Sequence, residues 1–206
     1  IGRITAPTMC FFIAEGYFHT SNIKKYISRL FIFAVISHFA YCFAFGIPFM
    51  PFKTGVLNQT GVIWSLAWGL VALAVCESGV KHIVKVLTVC AIALVALPAD
   101  WSSIAAMVVV DFGTNRGNFK RQSLSLIFYT AIYAAVFAVF ISVPYGILQM
   151  AVVLSLPLLR LYNGERGNMK GGKWFFYVYY PAHLVLVGIL RIMLYGNIGL
   201  IVGGKM

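Results

Sequence analysis

The stretch KWFFYVYYPAHLVLVGIL (residues 173–190) decides how the chain is organised. It is apolar and close to the length of about 20 residues that a helix needs to cross a bilayer. Pro181 and His183 interrupt it near its middle. A proline frees a backbone carbonyl in a helix, and an ionisable side chain deep in a membrane is costly. The stretch therefore predicts a membrane helix that carries a functional histidine.

The whole chain has the composition of an integral membrane protein. Its 206 residues are 61% hydrophobic and 10% charged, with a mean hydropathy of +0.90. A soluble domain carries about 25% charged residues. We predict an all-α fold, a polytopic transmembrane helical bundle in a single domain over residues 1–206. Apolar runs place about eight helices at residues 2–19, 26–47, 61–76, 83–97, 101–112, 123–143, 146–162 and 174–195.

These runs differ in length, and a span takes roughly 17–25 residues. The first, second, sixth, seventh and eighth are long enough, the third and fourth are marginal, and the fifth is short. We predict that all eight cross, because a re-entrant fifth helix would spoil the charge asymmetry between the two sides. With eight crossings, one side receives twelve of the sixteen basic residues: Lys24, Lys25, Arg29, Lys81, Lys85, Arg116, Lys120, Arg121, Arg160, Arg166, Lys170 and Lys173.

This asymmetry predicts the orientation, because Lys and Arg concentrate in cytoplasmic loops. We expect a multi-pass protein of the cell membrane, with the lipid bilayer as a partner and Ile1 on the outer face. A chain that starts outside predicts one more helix upstream, so the sequence is expected to be truncated at its N-terminus. The net charge is +11, but no basic stripe with interleaved aromatic residues is present, so nucleic acid is not an expected partner.

His183 is the first candidate for chemistry. It lies nine residues after Trp174, which is about 13–14 Å along the helix and near mid-membrane. A neutral imidazole there is suited to act as a general base, because it can take a proton from an attacking nucleophile near pH 7. The alternative is a structural histidine bonded to a neighbouring helix. His38, in the middle of the second helix, is expected to bond another helix or to pair with His183.

Two arginines are candidates for binding an anionic group. Arg3 lies beside the outer interface, where its fork of donors suits a phosphate or carboxylate, or where it reaches lipid headgroups. Arg191 lies two turns after His183 on a similar face. Among the acids, Glu15 is expected to bind substrate or to pair with Lys24 or Lys25. Asp100 is expected to cap the fifth helix.

The loop at residues 161–168 contains the turn dipeptide Asn163-Gly164 and is therefore a specific loop. Glu165 and Arg166 follow it, and we expect this loop to contact a soluble ligand on the cytoplasmic face. No phosphate-binding loop, dinucleotide fingerprint, zinc-hydrolase motif or nucleophile elbow is present in the sequence, and no metal is expected.

Three stretches together resemble the TraX family. They are GRITAPTMCFFIAEGYFHT at residues 2–20, LYNGERG at 161–167, and FYVYYPAHL at 176–184. The resemblance implies a membrane N- or O-acyltransferase, named for F pilin acetylation in conjugation, in the bacterial inner membrane. It further implies an acetyl-CoA donor and an amine or hydroxyl acceptor on a pilin-like protein, glycan or lipid.

The resemblance also assigns residues. His183 is the histidine of the C-terminal motif, Arg3 and Glu15 fall on the first motif, and Asn163 and Glu165 fall on the loop motif. Family members carry a further first helix with an Asp-His pair, which the resemblance places before residue 1. Thr8 stands where the family commonly has an apolar or aromatic residue.

Two other classes of function stay open at this point. A transporter or flippase of an anionic or lipid-linked substrate also uses intramembrane histidine and arginine. It predicts access from both faces and inverted repeats, and no repeat is visible in the sequence. A partner in pilus or conjugation assembly is the third class. The enzyme hypothesis predicts a tunnel from the cytoplasm to His183.

Overall fold

The computed structural model describes residues 2–52, 55, 58–165 and 172–196. Within these ranges all of the regular elements are helical, which confirms the all-α prediction. The helices are α1 (Gly2–His19), α2 (Ile23–Phe45), α3 (Val62–Cys76), α4 (His82–Ala96), α5 (Ser102–Thr114), α6 (Phe119–Phe140), α7 (Val143–Gln149), a 3-10 turn (Met150–Ser155), α8 (Leu156–Arg160) and α9 (Gly172–Tyr195). Helix α7, the 3-10 turn and α8 form one apolar run, Val143–Arg160.

Local sequence explains where several helices begin and end. The side chains of Asn22, Asn118 and Ser142 each accept a hydrogen bond from a backbone N–H in the first turn of α2, α6 and α7. These caps satisfy N–H groups that have no partner inside the helix. Helix α2 ends at Gly46, whose φ of 69° suits glycine because it has no Cβ. The cap at Asn22 starts α2 three residues before the predicted position.

The helices alternate in direction. At one end of the bundle, Arg116 after α5 bonds Glu15 near the end of α1, and Arg29 near the start of α2 bonds Tyr177 near the start of α9. At the opposite end, Arg3 of α1 bonds Tyr145 of α7. We call the first the basic end, since it carries Lys24, Lys25, Arg29, Lys81, Lys85, Arg116, Lys120, Arg121 and Arg160. This grouping agrees with the predicted charge asymmetry.

Helix α3 lies at the centre and packs against α1, α2, α4 and α5. Its Leu66, Leu70 and Leu73 are fully buried. Small residues allow its closest approach to α5, because a Cβ on Gly69 would lie 2.9 Å from the Cα of Ala106. The core therefore depends on backbone proximity between two short helices.

Four segments within the described ranges are long and apolar enough to cross a membrane: Ile23–Phe45, Phe119–Phe140, Val143–Arg160 and Tyr177–Leu194. Helix α1 has the predicted length of 18 residues, but it is not among the segments apolar enough to cross. Arg3, Glu15 and His19 lower its hydropathy, and its face with Ala6, Cys10 and Ala14 is buried inside the protein. Helices α3, α4 and α5 are apolar but shorter. The fold is a helical bundle with membrane character, and eight crossings stay a prediction.

Candidate functional site

At the opposite end of the bundle lie the N-termini of α3 and α5, and we call this region the recess. Helices α3 and α5 have 15 and 13 residues and α2 has 23. Helices α3 and α5 are therefore about 20–22 Å long, whereas α2 is about 34 Å long. The chain segments before α3 and α5 pair side by side. Gln59 N–H donates to the Pro98 carbonyl (2.7 Å) and Asp100 N–H donates to the Thr60 carbonyl (2.9 Å).

Arg3 and three aromatic residues surround Asp100 in this recess. Arg3 Nη2 donates to the Tyr145 hydroxyl at 3.0 Å, and its guanidinium lies 5.6 Å from the centre of that ring. The Tyr133 hydroxyl donates to the Asp100 carbonyl at 3.0 Å, and its ring stacks on Trp101 at 5.5 Å. Helices α1, α5, α6 and α7 therefore contribute to one polar cluster.

The environment of Asp100 favours its neutral form. Burial raises the pKa of the Asp100 carboxyl, and the positive charge of Arg3 opposes part of that shift. The predicted cap is wrong, because Trp101 occupies the N-cap position of α5 and no side chain bonds the first turn. The next residue, Ser102, has a φ of 49°, which is strained for a residue other than glycine.

We predict that Asp100→Asn stabilises the protein at pH 7. A carboxyl whose pKa is raised on folding contributes stability below its unfolded pKa of about 3.9 and loses it as the pH rises through the folded pKa. The asparagine variant cannot ionise, so its advantage in Tm should be largest near neutral pH and shrink toward about pH 4. Measuring Tm against pH checks this, with the exposed Glu77→Gln as control. A variant less stable than wild type at pH 7 would show that Arg3 fully compensates the charge.

His183 lies near the middle of α9. Its Nδ1 is 3.2 Å from the Tyr179 carbonyl oxygen, its ring stacks on Tyr179 at 5.4 Å, and it meets the edge of Tyr180 at 5.2 Å. A carbonyl oxygen only accepts hydrogen bonds, so we assign the proton to Nδ1. This assignment leaves Nε2 with its lone pair as the basic nitrogen.

Tyr180 connects His183 to the recess. Its hydroxyl accepts a hydrogen bond from Val62 N–H at 3.3 Å, at the first residue of α3. The absence of a side chain on Gly61 makes this approach possible, because a Cβ there would lie 2.9 Å from the Tyr180 hydroxyl. One aromatic ring therefore separates the imidazole from the start of α3.

The structure does not bring His38 or Arg191 to His183. His38 Nε2 donates to the Phe49 carbonyl at 2.9 Å and lies 3.7 Å from Cys42 Sγ. Its predicted pairing with His183, or with another helix, was therefore wrong within the described residues. Arg191 Nη2 donates to the Phe43 carbonyl at 3.3 Å, and its buried Nε has no hydrogen-bond partner among the described residues. Both side chains are occupied with the last part of α2 and the turn after it.

Glu15 lies at the basic end and does not contact His183 among the described residues. Arg116 binds its carboxylate with Nε at 3.0 Å and Nη2 at 3.0 Å, and His19 Nε2 lies 3.5 Å away. The expected partner, Lys24 or Lys25, was wrong, because the link between α5 and α6 brings Arg116 to the end of α1. The Arg116 guanidinium also lies over the Phe18 ring at 4.8 Å.

The loop after α8 forms the predicted turn. Asn163 Oδ1 accepts from Glu165 N–H at 3.1 Å, and Asn163 Nδ2 donates to the Glu165 carboxylate at 3.4 Å. Both side chains are exposed. Arg166 lies outside the described residues. Tyr162, just before the turn, packs edge-on against Phe11 and Phe12 of α1.

The predicted site residues thus divide between the two ends. Arg3 and His183 lie near the recess, whereas Glu15, Asn163 and Glu165 lie at the basic end. Sequence reasoning missed the roles of Tyr133, Tyr145, Tyr180 and Arg116. Tyr180 could have been found, since it lies one turn before His183 in the same motif. In the described part of the chain, His, Cys, Asp and Glu residues form no group of three that could hold a metal ion.

Comparisons with known proteins place the sequence in a family. A family model described as TraX protein matches residues 1–191. The chain belongs to the TraX family. All three stretches on which the resemblance rested fall inside the match. A probable fimbrial assembly protein FimC, serogroup H1, of Dichelobacter nodosus is 30% identical over 196 residues, covering 91% of this chain and 80% of that protein. No solved structure matches the chain.

Proposed function

We propose that this TraX-family protein transfers an acyl group, in particular acetyl, from a CoA thioester to an amine or hydroxyl of a membrane-associated acceptor. The observation that carries the proposal is the state of His183. Its Nδ1 is bonded to the Tyr179 carbonyl, and its Nε2 is left as a base beside the recess. Membership of the TraX family supports the same chemistry through the resemblance to membrane acyltransferases.

In the proposed reaction, His183 Nε2 removes the proton from the acceptor as its nitrogen or oxygen attacks the thioester carbonyl. The carbon–sulfur bond breaks, and the imidazolium returns the proton to the departing CoA thiolate. A positioned base of this kind contributes about 10²–10⁴-fold to a rate. Arg3 is proposed to hold an anionic part of the acceptor or the developing oxyanion, since a guanidinium donates several hydrogen bonds in a fixed geometry.

The donor is proposed to arrive at the basic end. The cations there create a field that attracts the phosphates of CoA. The exposed Asn163 turn, with Glu165 and Arg166, is proposed to contact the soluble donor. Tyr177 at the basic end and His183 are six residues apart on α9, which is about 9 Å along the helix. Neither of the two grooves described below is lined by His183, so the tunnel to it stays a prediction.

The remaining predicted residues act through structure in this proposal. Glu15 holds Arg116 and so attaches α1 to the link between α5 and α6. His38 and Arg191 bond backbone carbonyls at and after the end of α2, and are proposed to hold α2 and the turn after it in place. The acceptor is proposed to be pilin-like, because the Dichelobacter nodosus relative carries a fimbrial assembly name.

The proposal is tested by labelling the two halves of the donor separately. Purified protein in lipid nanodiscs is incubated with a membrane extract and with acetyl-CoA labelled in either the acetyl group or the adenine. Acyl transfer moves only the acetyl label to the acceptor fraction, and the labelled adenine stays in free CoA. Empty nanodiscs give the background. Acetyl label no higher than this background would contradict acyl transfer and favour the transporter or assembly-partner alternatives.

A further inference from the structure

A groove runs from the basic end along the outside of α2. It has a volume of about 550 Å³ and is lined by Lys24, Lys25, Ser28, Arg29, Ile32, Phe33 and Ile36. Its cationic and hydroxyl side chains occupy one end and its apolar side chains occupy the rest. We propose that this groove binds an anionic phospholipid, with the phosphate at the cations and an acyl chain along Ile32 and Ile36. This inference does not depend on the proposed acyl transfer.

The charge of the groove fits a phosphate. Among the described residues, seven line the groove, and they include three cations and no acid. The ion pairs among the described residues join Glu15 to His19 and Arg116, so no carboxylate neutralises Lys24, Lys25 or Arg29. Lysine and arginine near a membrane surface attract anionic lipids. The Ser28 hydroxyl adds a neutral donor at the same level.

Arg29 is held in position before any ligand binds. Its Nε donates to the Tyr177 hydroxyl at 3.3 Å. Its guanidinium lies 5.5 Å from the centre of the Tyr26 ring and 5.3 Å from that of Tyr177. The two Nη groups are not used in the Tyr177 bond. A side chain that is already ordered loses little entropy when it binds, so this arrangement favours a defined phosphate position.

The length of the groove fits a lipid in one leaflet. Lys25 and Ile36 are eleven residues apart on α2, or about 16 Å along the helix. Half of the hydrocarbon core of a bilayer is about 15 Å. Ile32 and Ile36 are 59% and 46% exposed, so the apolar part opens sideways to the surroundings of α2. A soluble CoA molecule does not require such a lateral apolar face.

A second groove of about 480 Å³ at the same end offers a comparison. The described residues that line it are Phe119, Ser123, Leu156, Pro157, Arg160 and Leu161. Among these, Arg160 is the single cation. The nearby Lys120 and Arg121 on α6 are exposed and line neither groove. Removing their two charges therefore changes the net charge of the basic end as much as removing Lys24 and Lys25 does, without touching the proposed site.

The test is native mass spectrometry of the detergent-purified chain with dioleoylphosphatidylglycerol or dioleoylphosphatidylcholine. We expect preferential retention of phosphatidylglycerol, weakened about 30-fold in Lys24→Gln/Lys25→Gln, which corresponds to about 1 kcal/mol for each lost lysine. The control Lys120→Gln/Arg121→Gln should retain it as the unaltered chain does. The exposed positions of all four side chains keep both variants folded, which their Tm verifies.

Three outcomes would overturn the lipid proposal. The first is equal retention of the two lipids by the unaltered chain. The second is an equal loss of phosphatidylglycerol retention in the control variant, because the net charge of the basic end would then explain the effect. The third is displacement of phosphatidylglycerol by saturating CoA, which would assign the groove to the acyl donor.

Discussion

Replacing His183 by asparagine is expected to lower acetyl transfer by about 10²–10⁴-fold, the contribution of a positioned general base. The asparagine amide can donate to the Tyr179 carbonyl as Nδ1 of His183 does. It offers no basic nitrogen in place of Nε2. The substitution therefore removes the proposed proton acceptor while keeping the local hydrogen bond, and the loss should appear in kcat more than in KM.

His82→Asn is the matched control. His82 is exposed at the start of α4, at the basic end, and it has no place in the proposed site. Initial rates of acetyl transfer are compared for both variants at equal amounts of folded protein, judged by Tm. Equal rates for His183→Asn and wild type would make His183 a structural residue of α9 and would move the base elsewhere.

Replacing Arg116 by alanine is expected to destabilise the protein by about 2–3 kcal/mol. Breaking a fully buried ion pair costs about 3–5 kcal/mol, because the remaining charge is left buried and unpaired. Here the Glu15 side chain is 9% exposed and that of Arg116 is 39% exposed. Solvent therefore screens part of the interaction, and the free-energy cost of removing Arg116 is lower than for a fully buried pair. His19 lies 3.5 Å from the carboxylate and compensates only when it is protonated.

The unfolding free energy of Arg116→Ala is compared with that of Arg121→Ala, an exposed arginine nearby on α6. Adding Glu15→Gln to Arg116→Ala should restore part of the stability, since no buried charge then remains. Arg116→Ala as stable as Arg121→Ala would show that the bidentate pair contributes nothing. Glu15 and Arg3 lie near opposite ends of α1. Because Arg116→Ala releases the end that carries Glu15, it is also expected to shift Arg3 in the recess.

Much of the secondary structure could be predicted from local pattern. The prediction for residues 2–19 coincides with α1, and the other helices were placed within a few residues of their observed bounds. The caps at Asn22, Asn118 and Ser142 are local contacts, so they set helix starts independently of the rest of the fold. The 3-10 turn at Met150–Ser155 was not predicted, because its apolar sequence is compatible with a continuous helix.

The candidate site could be predicted only in part. His183 and Arg3 were recognisable because an ionisable residue beside or inside an apolar run is unusual. Asp100 was interpreted as a cap, since an acid before a helix commonly plays that role. Its actual neighbours, Arg3 and Tyr133, come from α1 and α6, and nothing local to Asp100 indicates them.

The sequence by itself determined that this TraX-family protein is a membrane-type helical bundle, where its helices lie and how its basic residues segregate. These properties follow from hydropathy and charge along short segments. Only the tertiary structure decided the partner of Glu15, which is 101 positions away, and the meeting of α1, α5, α6, α7 and α9 around the recess. The residues at the starts of α3 and α5 meet side chains of α9 and α6 only after the helices are packed, because these partners are distant in the sequence.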